Sequence, residues 1–316
     1  MKEWKLEKRI YLTKFYGRTN KMKNLKHYLQ KAQKEKFAIG QFNFSDWSQV
    51  KGIVAANQNL KAPIILGTSE GESRFVGLQE AVAMRNVLRK KTGLPIFLNL
   101  DHGKSAEYLK EAVLAGYDMV HFDGSKLPLD ENIKISKEVV KFAHKKGVVV
   151  EGEVGRFGTD ASRIYEEKFE IKEEYLTKVE DVLHYLKQVS VDLLAVSIGT
   201  FHGIDISGIS PNLRLDRLQE ISARIKTPLT LHGGSGTPIE DMKKAIQSGI
   251  CKININTDIR SAFVKSLKKA LEPNPPSALA GGGGEITPYK YLQGPIDAVQ
   301  MVVEERIKLF GSENKI

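Results

Sequence analysis

The sequence predicts a (β/α)8 TIM barrel with an extra C-terminal helix and a basic N-terminal extension. From about residue 37, strand-like and helix-like segments alternate through eight strand candidates. Most of these strands are apolar on both faces, as parallel strands covered by helices require. An open doubly wound sheet is the alternative. Eight regular units without G-x-G-x-x-G after the first strand favour the closed barrel.

The elements follow one another as a barrel requires. The predicted strands are, in order, FAIGQFN, PIILGTS, PIFLNLD, MVHFDGS, VVVEGEVG, LLAVSIGTFHG, LTLHGG and CKININT. Segments with helical apolar spacing lie between them, beginning with DWSQVKGIVAANQNL, in which Asp46 is an N-cap candidate. A connection rich in Pro and Gly, EPNPPSALAGGGGEITP, leads to a final amphipathic helix, PIDAVQMVVEERIKLFG.

Composition and charge narrow the class of protein. The single cysteine, Cys251, excludes an intrachain disulfide, and no apolar stretch approaches the ~18 residues of a membrane span. Half of the formal net charge of +10 lies in residues 1–21, which hold seven Lys or Arg and two Glu. Without a nucleic-acid-binding motif, this segment is interpreted as a solvated extension before a barrel spanning 22–316. We expect a cytoplasmic protein with neither a nucleic-acid nor a membrane partner.

Polar and titratable side chains stand at the ends of the predicted strands. In a (β/α)8 barrel these ends converge on one mouth, where the active site lies. The residues concerned are Ser69, Asp101, His102, Asp123, Ser125, Glu151, Glu153, His202, His232, Asn254, Asn256, Thr257 and Asp258.

Three of the seven histidines, His102, His202 and His232, end predicted strands and are each followed by glycine. Three imidazoles around one mouth predict a tetrahedral Zn²⁺ site with its fourth position open to substrate. The alternative is that each histidine is a satisfied polar residue at a strand end. The other four are interpreted as structural: His27, His121, His144 and His184.

The segment HGGSG, residues 232–236, precedes a helix predicted to start near Pro238. Small residues there let backbone N–H groups point at an anion, and the helix dipole adds to the attraction. Barrels of this type commonly bind phosphate after their seventh and eighth strands, here HGGSG and NINT. The segment therefore predicts a phosphate site, with a simple flexible turn as the alternative.

Taken together, LDHG, FDGS, VEGEVG, SIGTFHG, LHGGSG and KININTDIR resemble the class II, zinc-dependent fructose-bisphosphate and tagatose-bisphosphate aldolases over about residues 22–310. The resemblance implies reversible cleavage of a ketose bisphosphate to dihydroxyacetone phosphate and glyceraldehyde 3-phosphate. Fructose 1,6-bisphosphate is the first candidate for the substrate. It also implies a homodimer or homotetramer and a monovalent cation beside the phosphate.

The resemblance assigns roles to individual residues. The catalytic zinc would be held by His102, His202 and His232, and Asp101 would exchange a proton with the C4 hydroxyl. Asp123 and Glu153 match ligands of a second divalent-metal position. The dihydroxyacetone-phosphate part would lie against Ser69, Gly203, Gly233, Ser235, Asn254 and Thr257, to which we add their neighbours Gly234 and Asn256.

This chemistry gives a reason for the Asp101–His102 pair. Aldol cleavage leaves negative charge on the ketone fragment, and zinc supplies a Lewis acid to stabilise it. A carboxylate beside a metal ligand is well placed to move a proton. No strand-end lysine stands out as a Schiff-base nucleophile, and the zinc mechanism needs none.

The sequence departs from the family pattern in two places. One is the loop residue that acts as a base at the carbon next to the ketone, and the other is the residue that binds the far phosphate, the one outside the dihydroxyacetone-phosphate half. In the loop after the fifth strand, the position of the expected base falls at Ala161, so Asp160, Glu166 or Glu167 must replace it. We favour Glu166 or Glu167 because their reach is longer and Arg163 beside them could bind the second phosphate. Where the family carries an arginine for the far phosphate, this chain has Gln293, with Lys290 nearby.

These departures keep alternatives open. One is an aldolase for tagatose bisphosphate or for another ketose phosphate. The other is a non-catalytic barrel that binds a phosphosugar.

Overall fold

The computed structural model describes residues 23–156, 163–205, 207, 211–272 and 287–316. Eight parallel strands close a barrel: β1 (Ile39–Asn43), β2 (Ile64–Ser69), β3 (Ile96–Gly103), β4 (Met119–Phe122), β5 (Val149–Val154), β7 (Leu193–Val196), β9 (Leu229–Leu231) and β10 (Ile250–Ile255). Their order is β1-β10-β9-β7-β5-β4-β3-β2. Closure is completed where β1 pairs with β10, with Ile39 opposite Lys252. The predicted TIM barrel is confirmed, and the open sheet is excluded.

Helices alternate with the strands. They are α1 (Leu25–Glu35), α2 (Trp47–Leu60), α3 (Glu70–Val76), α4 (Leu78–Thr92), α5 (Ala106–Ala115), α6 (Leu129–His144), α7 (Val179–Gln188), α8 (Leu215–Ser222), α9 (Ile239–Gln247), α10 (Thr257–Leu271), α11 (Pro288–Tyr291) and α12 (Gln293–Leu309). Asp46 caps α2 as predicted, because its Oδ1 accepts a hydrogen bond from the Gln49 backbone N–H over 2.9 Å. The predicted C-terminal helix is α12.

Helix α1, which the sequence pattern did not predict, closes the N-terminal end of the barrel. Its apolar side chains, among them Tyr28 and Leu29, pack against interior residues such as Phe97 and Met119. Burying this face removes apolar surface from water at about 25 cal/mol per Å². The opposite end of the barrel is left open for a site.

A second apolar layer lies between the strands and the surrounding helices. Helix α12 completes it by packing on α2 at Gly52, where an added Cβ would come within 2.6 Å of the Ile296 carbonyl oxygen. Asn59 also donates a hydrogen bond to Glu304 over 2.8 Å. The C-terminal helix is therefore part of the barrel wall.

The middle of the barrel interior is polar. Buried polar groups need hydrogen-bond partners, so such a layer imposes specific orientations on its members. Its wholly buried members are Gln41, Asn99, His121, Glu151, Thr230 and Lys252. This layer forms the floor of the site described below.

Two short strands, β6 (Ile164–Tyr165) and β8 (Ile204–Asp205), form a separate parallel pair beside the mouth. The predicted extension 1–21 and the Pro- and Gly-rich connection over 273–286 lie outside the described residues, as does Asp160. Among the residues described, every helix is too short or too polar to cross a membrane.

Candidate active site

A cavity of about 810 Å³ opens at the C-terminal ends of the barrel strands. Thirteen of the residues singled out from the sequence line it: Ser69, Asp101, His102, Asp123, Ser125, His202, Gly203, His232, Gly233, Ser235, Asn254, Asn256 and Thr257. Glu153 is wholly buried beside the cavity, close to His102. Gly234 packs instead against β10, with its N–H donating to the Asn254 carbonyl oxygen over 3.2 Å.

A break in the regularity of β3 lets two adjacent residues, Asp101 and His102, serve one cavity. Neighbours on a regular strand point to opposite faces. Here the pairing register shifts between Leu100 and Gly103, and His102 has a left-handed φ of 51°. Such a backbone is rare outside glycine and is held by its surroundings. The His102 N–H donates to His121 Nδ1 over 3.1 Å, which fixes the turn.

Each of two facing imidazoles is anchored by a carboxylate on its outer side. His102 Nδ1 lies 2.9 Å from Asp123 Oδ2, and His232 Nε2 lies 2.7 Å from Glu151 Oε1. The inner nitrogens, His102 Nε2 and His232 Nδ1, are 2.9 Å apart. Carboxylates that hold the outer nitrogen in this way fix the ring orientation of metal-binding histidines.

The third predicted ligand, His202, lies in the loop between β7 and β8. Its ring centroid is 4.6 Å from that of His102 and 6.3 Å from that of His232. The structure therefore brings the three predicted imidazoles together from three separate parts of the chain.

The protonation of the facing pair fits a cation site. Burial alone would lower the pKa of His102, but Asp101 and Asp123 outweigh it and raise that pKa. Burial, together with the charge of His102, lowers the pKa of His232 to about 3. His232 is therefore neutral at neutral pH, and its Nδ1 faces His102 Nε2. A divalent cation bound by these nitrogens would displace a proton held there, as metal binding to histidine generally does.

His121 belongs to the imidazole cluster although the sequence did not predict a role for it. Interpreted as structural, it lies inside the cluster, with its ligand atom grouped with those of Asp101, His102 and His232. Its Nε2 is 3.1 Å from Glu153 Oε2. The signal was available on β4, because His121 and Asp123 are two residues apart and a strand directs such pairs to the same face.

A second possible metal group consists of His102, Asp123 and Glu153. The pKa of Glu153 is raised by burial and by the nearby charge of Asp123. Two carboxylates that repel each other in a buried place suit a shared cation.

Asp101 is held by amides on two sides. Asn43 Nδ2 donates to Asp101 Oδ2 over 3.1 Å, and Asn254 Nδ2 donates to Asp101 Oδ1 over 3.0 Å. Burial alone would raise the pKa of Asp101, but the charge of His102, with contributions from His121 and Lys252, outweighs it and places the pKa well below its usual value. Asp101 is therefore ionised at neutral pH.

The opposite wall of the cavity suits an anion. Gly233 and Ser235 precede α9, while Asn256 and Thr257 stand at the start of α10. The Asp258 N–H donates to Ser235 Oγ over 3.2 Å, which joins the two loops. Two long helices therefore direct their N-terminal ends to this wall.

The cavity is also lined by four cationic side chains, namely Lys104, Lys126, Arg156 and Arg260. The Arg260 guanidinium lies 2.6 Å from Glu72, so it is already fixed in place. The expected alternative cations, Lys290 and Arg163, do not line the cavity, and neither does Gln293. Gln293 is exposed and donates to Asp297 at the start of α12.

The two favoured loop acids, Glu166 and Glu167, are exposed and do not line the cavity. Their segment is nevertheless anchored beside it. The Ile204 N–H donates to the Arg163 carbonyl oxygen over 3.0 Å, and Phe169 stacks on Phe201 with centroids 4.4 Å apart.

Comparison with known proteins assigns the family. The family model described as fructose-bisphosphate aldolase class-II matches residues 23–315. The chain belongs to the class II fructose-bisphosphate aldolase family. This class II aldolase is a lyase whose family is zinc-dependent in general, and the predicted enzyme class is confirmed.

The relatives of this aldolase differ in their names. It is 38% identical over 290 residues to a 6-phospho-5-dehydro-2-deoxy-D-gluconate aldolase of Shouchella clausii, covering 91% of this chain and 94% of that protein. It is 35% identical over 298 residues to a fructose-bisphosphate aldolase of Streptococcus pneumoniae, covering 91% and 97%. The YdjI aldolase structure from Escherichia coli K12 matches with a TM-score of 0.77 and 26% identity, covering 93% and 99%.

Proposed function

We propose that this aldolase reversibly cleaves a ketose bisphosphate, with fructose 1,6-bisphosphate as the first candidate, to dihydroxyacetone phosphate and glyceraldehyde 3-phosphate. One observation carries the proposal: the ionised Asp101 lies beside a cluster of imidazoles, in the same cavity as a wall suited to phosphate. Each of these parts answers one need of the reaction.

The chemistry of the donor set fits zinc, with His102, His202 and His232 as ligands. Bound zinc would act as a Lewis acid that withdraws electrons from the ketone. Asp123 and Glu153 are proposed for a second divalent position, supported by their grouping with His102.

Asp101 would act on the C4 hydroxyl. In the cleavage direction it accepts the hydroxyl proton while C4 becomes the aldehyde carbon. The electron pair of the broken C3–C4 bond stays on the three-carbon ketone fragment. That fragment then takes up a proton at the carbon next to the ketone, for which Glu166 or Glu167 is proposed.

The two substrate phosphates would bind to different residues of the cavity. Gly233, Ser235 and Thr257 suit the phosphate of the dihydroxyacetone half, and a monovalent cation beside it is part of the proposal. Ser69, Gly203 and Asn254 would contact the rest of that half. Arg260, oriented by Glu72, is proposed to take the far phosphate.

Cleavage assays test the proposal and its alternatives. Fructose 1,6-bisphosphate, tagatose 1,6-bisphosphate and 6-phospho-5-dehydro-2-deoxy-D-gluconate would each be supplied with zinc and with chelator. We expect fructose 1,6-bisphosphate to have the highest kcat/KM and chelator to abolish its cleavage. A higher kcat/KM for another sugar would make that sugar the proposed substrate. No cleavage of any sugar would favour a barrel that only binds phosphosugars.

The far-phosphate assignment has its own measurement. Arg260→Ala should raise KM for fructose 1,6-bisphosphate about tenfold or more, since it removes a charge-assisted contact. Its kcat/KM for fructose 1-phosphate should change little. An equal loss for both substrates would contradict this role.

A homodimer or homotetramer in the cytoplasm is also proposed, with a place in sugar breakdown such as glycolysis. The match to the class II aldolase family supports this proposal. Sedimentation equilibrium of the full chain would measure the number of subunits.

A further inference from the structure

A buried ammonium group lies directly beneath the imidazole cluster. Lys252, on β10, is wholly buried. Its Nζ lies 3.0 Å from Glu151 Oε2 and donates to Asn254 Oδ1 over 2.7 Å. The mechanism proposed above gives this lysine no role.

Fold stability alone is a weak explanation for the Lys252–Glu151 pair. Taking two charges out of water is expensive, and well-packed apolar residues often replace buried ion pairs without loss of stability. Glu151 also accepts a hydrogen bond from Thr230 over 2.7 Å, so the carboxylate is fixed from several sides. The contacts of Lys252 and Glu151 indicate which site residues the pair orients.

Two chains of hydrogen bonds start at Lys252. The first leads through Glu151 to His232. Glu151 accepts from Lys252 through Oε2 and from His232 Nε2–H through Oε1. An ionised carboxylate in this place keeps the proton on Nε2. His232 therefore presents Nδ1 to His102.

The second chain of hydrogen bonds leads from Lys252 to Asp101. An ammonium group only donates hydrogen bonds, so the Asn254 side chain must turn its carbonyl oxygen toward Lys252. Its amide N–H groups then face Asp101 Oδ1 at 3.0 Å and His232 Nδ1 at 3.2 Å. One cation thus removes the two-fold ambiguity of the amide.

We propose that Lys252 is a positioning residue that orients a metal-binding imidazole and the proton-accepting carboxylate at the same time, through Glu151 and Asn254 respectively. The kinetic part of this inference rests on the proposed function, whereas its metal-binding part does not. Coupling through one buried group would keep metal and base in a constant relative position.

The test compares the full-length parent with Lys252→Met, which keeps a long flexible side chain and removes the donors. Zinc affinity would be measured by chelator competition, and the Co²⁺-substituted protein by its visible absorption spectrum. Partners of metal ligands typically contribute 10- to 100-fold to metal affinity. We expect a loss of about that size, an altered Co²⁺ spectrum and a reduced kcat.

A double variant covers the case in which Lys252→Met leaves Glu151 unpaired and the protein unfolds. Glu151→Gln/Lys252→Met removes both charges and should fold, with zinc affinity and kcat still reduced. Arg85→Met is the control, because Arg85 forms an ion pair with Asp118 at the other end of the barrel and is nearly as buried. It should lower stability and leave zinc affinity unchanged.

Parental zinc affinity, Co²⁺ spectrum and kcat in a folded lysine variant would overturn the inference. An equal loss of zinc affinity in Arg85→Met would also overturn it, by showing a general effect of stability. If the parent cleaves no ketose bisphosphate, the proposed function fails. The zinc and cobalt measurements still decide the positioning role.

Discussion

The side-chain amide of Asn43 on β1 donates a hydrogen bond over 3.1 Å to Asp101 on β3, past the intervening strand β2. Together with the amide of Asn254, it holds a buried carboxylate in one orientation. The geometry of Asp101 is thus set by neighbours that carry no charge themselves.

Asp101→Asn removes the proton acceptor and keeps the size of the side chain. We expect aldol cleavage to fall by about 100-fold or more, as for loss of a general base. Zinc content and affinity for dihydroxyacetone phosphate should stay at the parental level, measured by elemental analysis and calorimetry. Near-parental turnover would reduce Asp101 to a residue that only orients His102.

His202→Ala should lose most of the bound zinc, because only two of the three proposed imidazole ligands remain. The parent, purified without chelator, should contain about one zinc per chain, as expected for a single catalytic site. His144→Ala is a matched control, since that imidazole contacts Asp192 outside the cavity. Full zinc retention in His202→Ala would remove His202 from the site.

The loop acids can be tested through proton exchange between dihydroxyacetone phosphate and solvent, which needs no aldehyde. Alanine at Glu166 or Glu167 should slow this exchange by about 100-fold if that residue is the base, with zinc content intact. Asp160→Ala is the third variant, and Glu170→Ala, exposed in the same segment, is the control. Parental exchange in all three would show that none of these acids is the base.

Removal of residues 1–21 should leave turnover and the free energy of unfolding unchanged. The first described helix keeps its own cap, because Asn24 Oδ1 accepts from the His27 N–H over 3.0 Å. Enzyme assays and urea unfolding of the shortened chain would check this. Loss of soluble protein or of assembly would place the domain boundary before residue 22.

The barrel could be predicted because its strands and helices follow a regular hydrophobic pattern along the sequence. Apolar strands such as IILGTS and amphipathic helices repeat along the chain, and their order alone brings the strand ends to one mouth. The convergence of His102, His202 and His232 followed from this without any local metal motif.

What escaped prediction depends on irregular backbone or on distant partners. The left-handed turn at His102 follows from a register shift between strands. His121 resembles a core histidine in the sequence, and the pairing of β4 with β5 brings it to Glu153. The partnership of Lys252 with Glu151 joins residues about a hundred positions apart, which no local pattern encodes.

The packing of α12 on α2 bears on how the chain folds during synthesis. Domains commonly fold as units while the ribosome is still elongating the chain. Here β1 pairs with β10, and α2 lacks its cover until the last helix has emerged. The chain through β10 must therefore leave the ribosome before the barrel can close, and the face of α2 that α12 covers stays exposed until α12 follows.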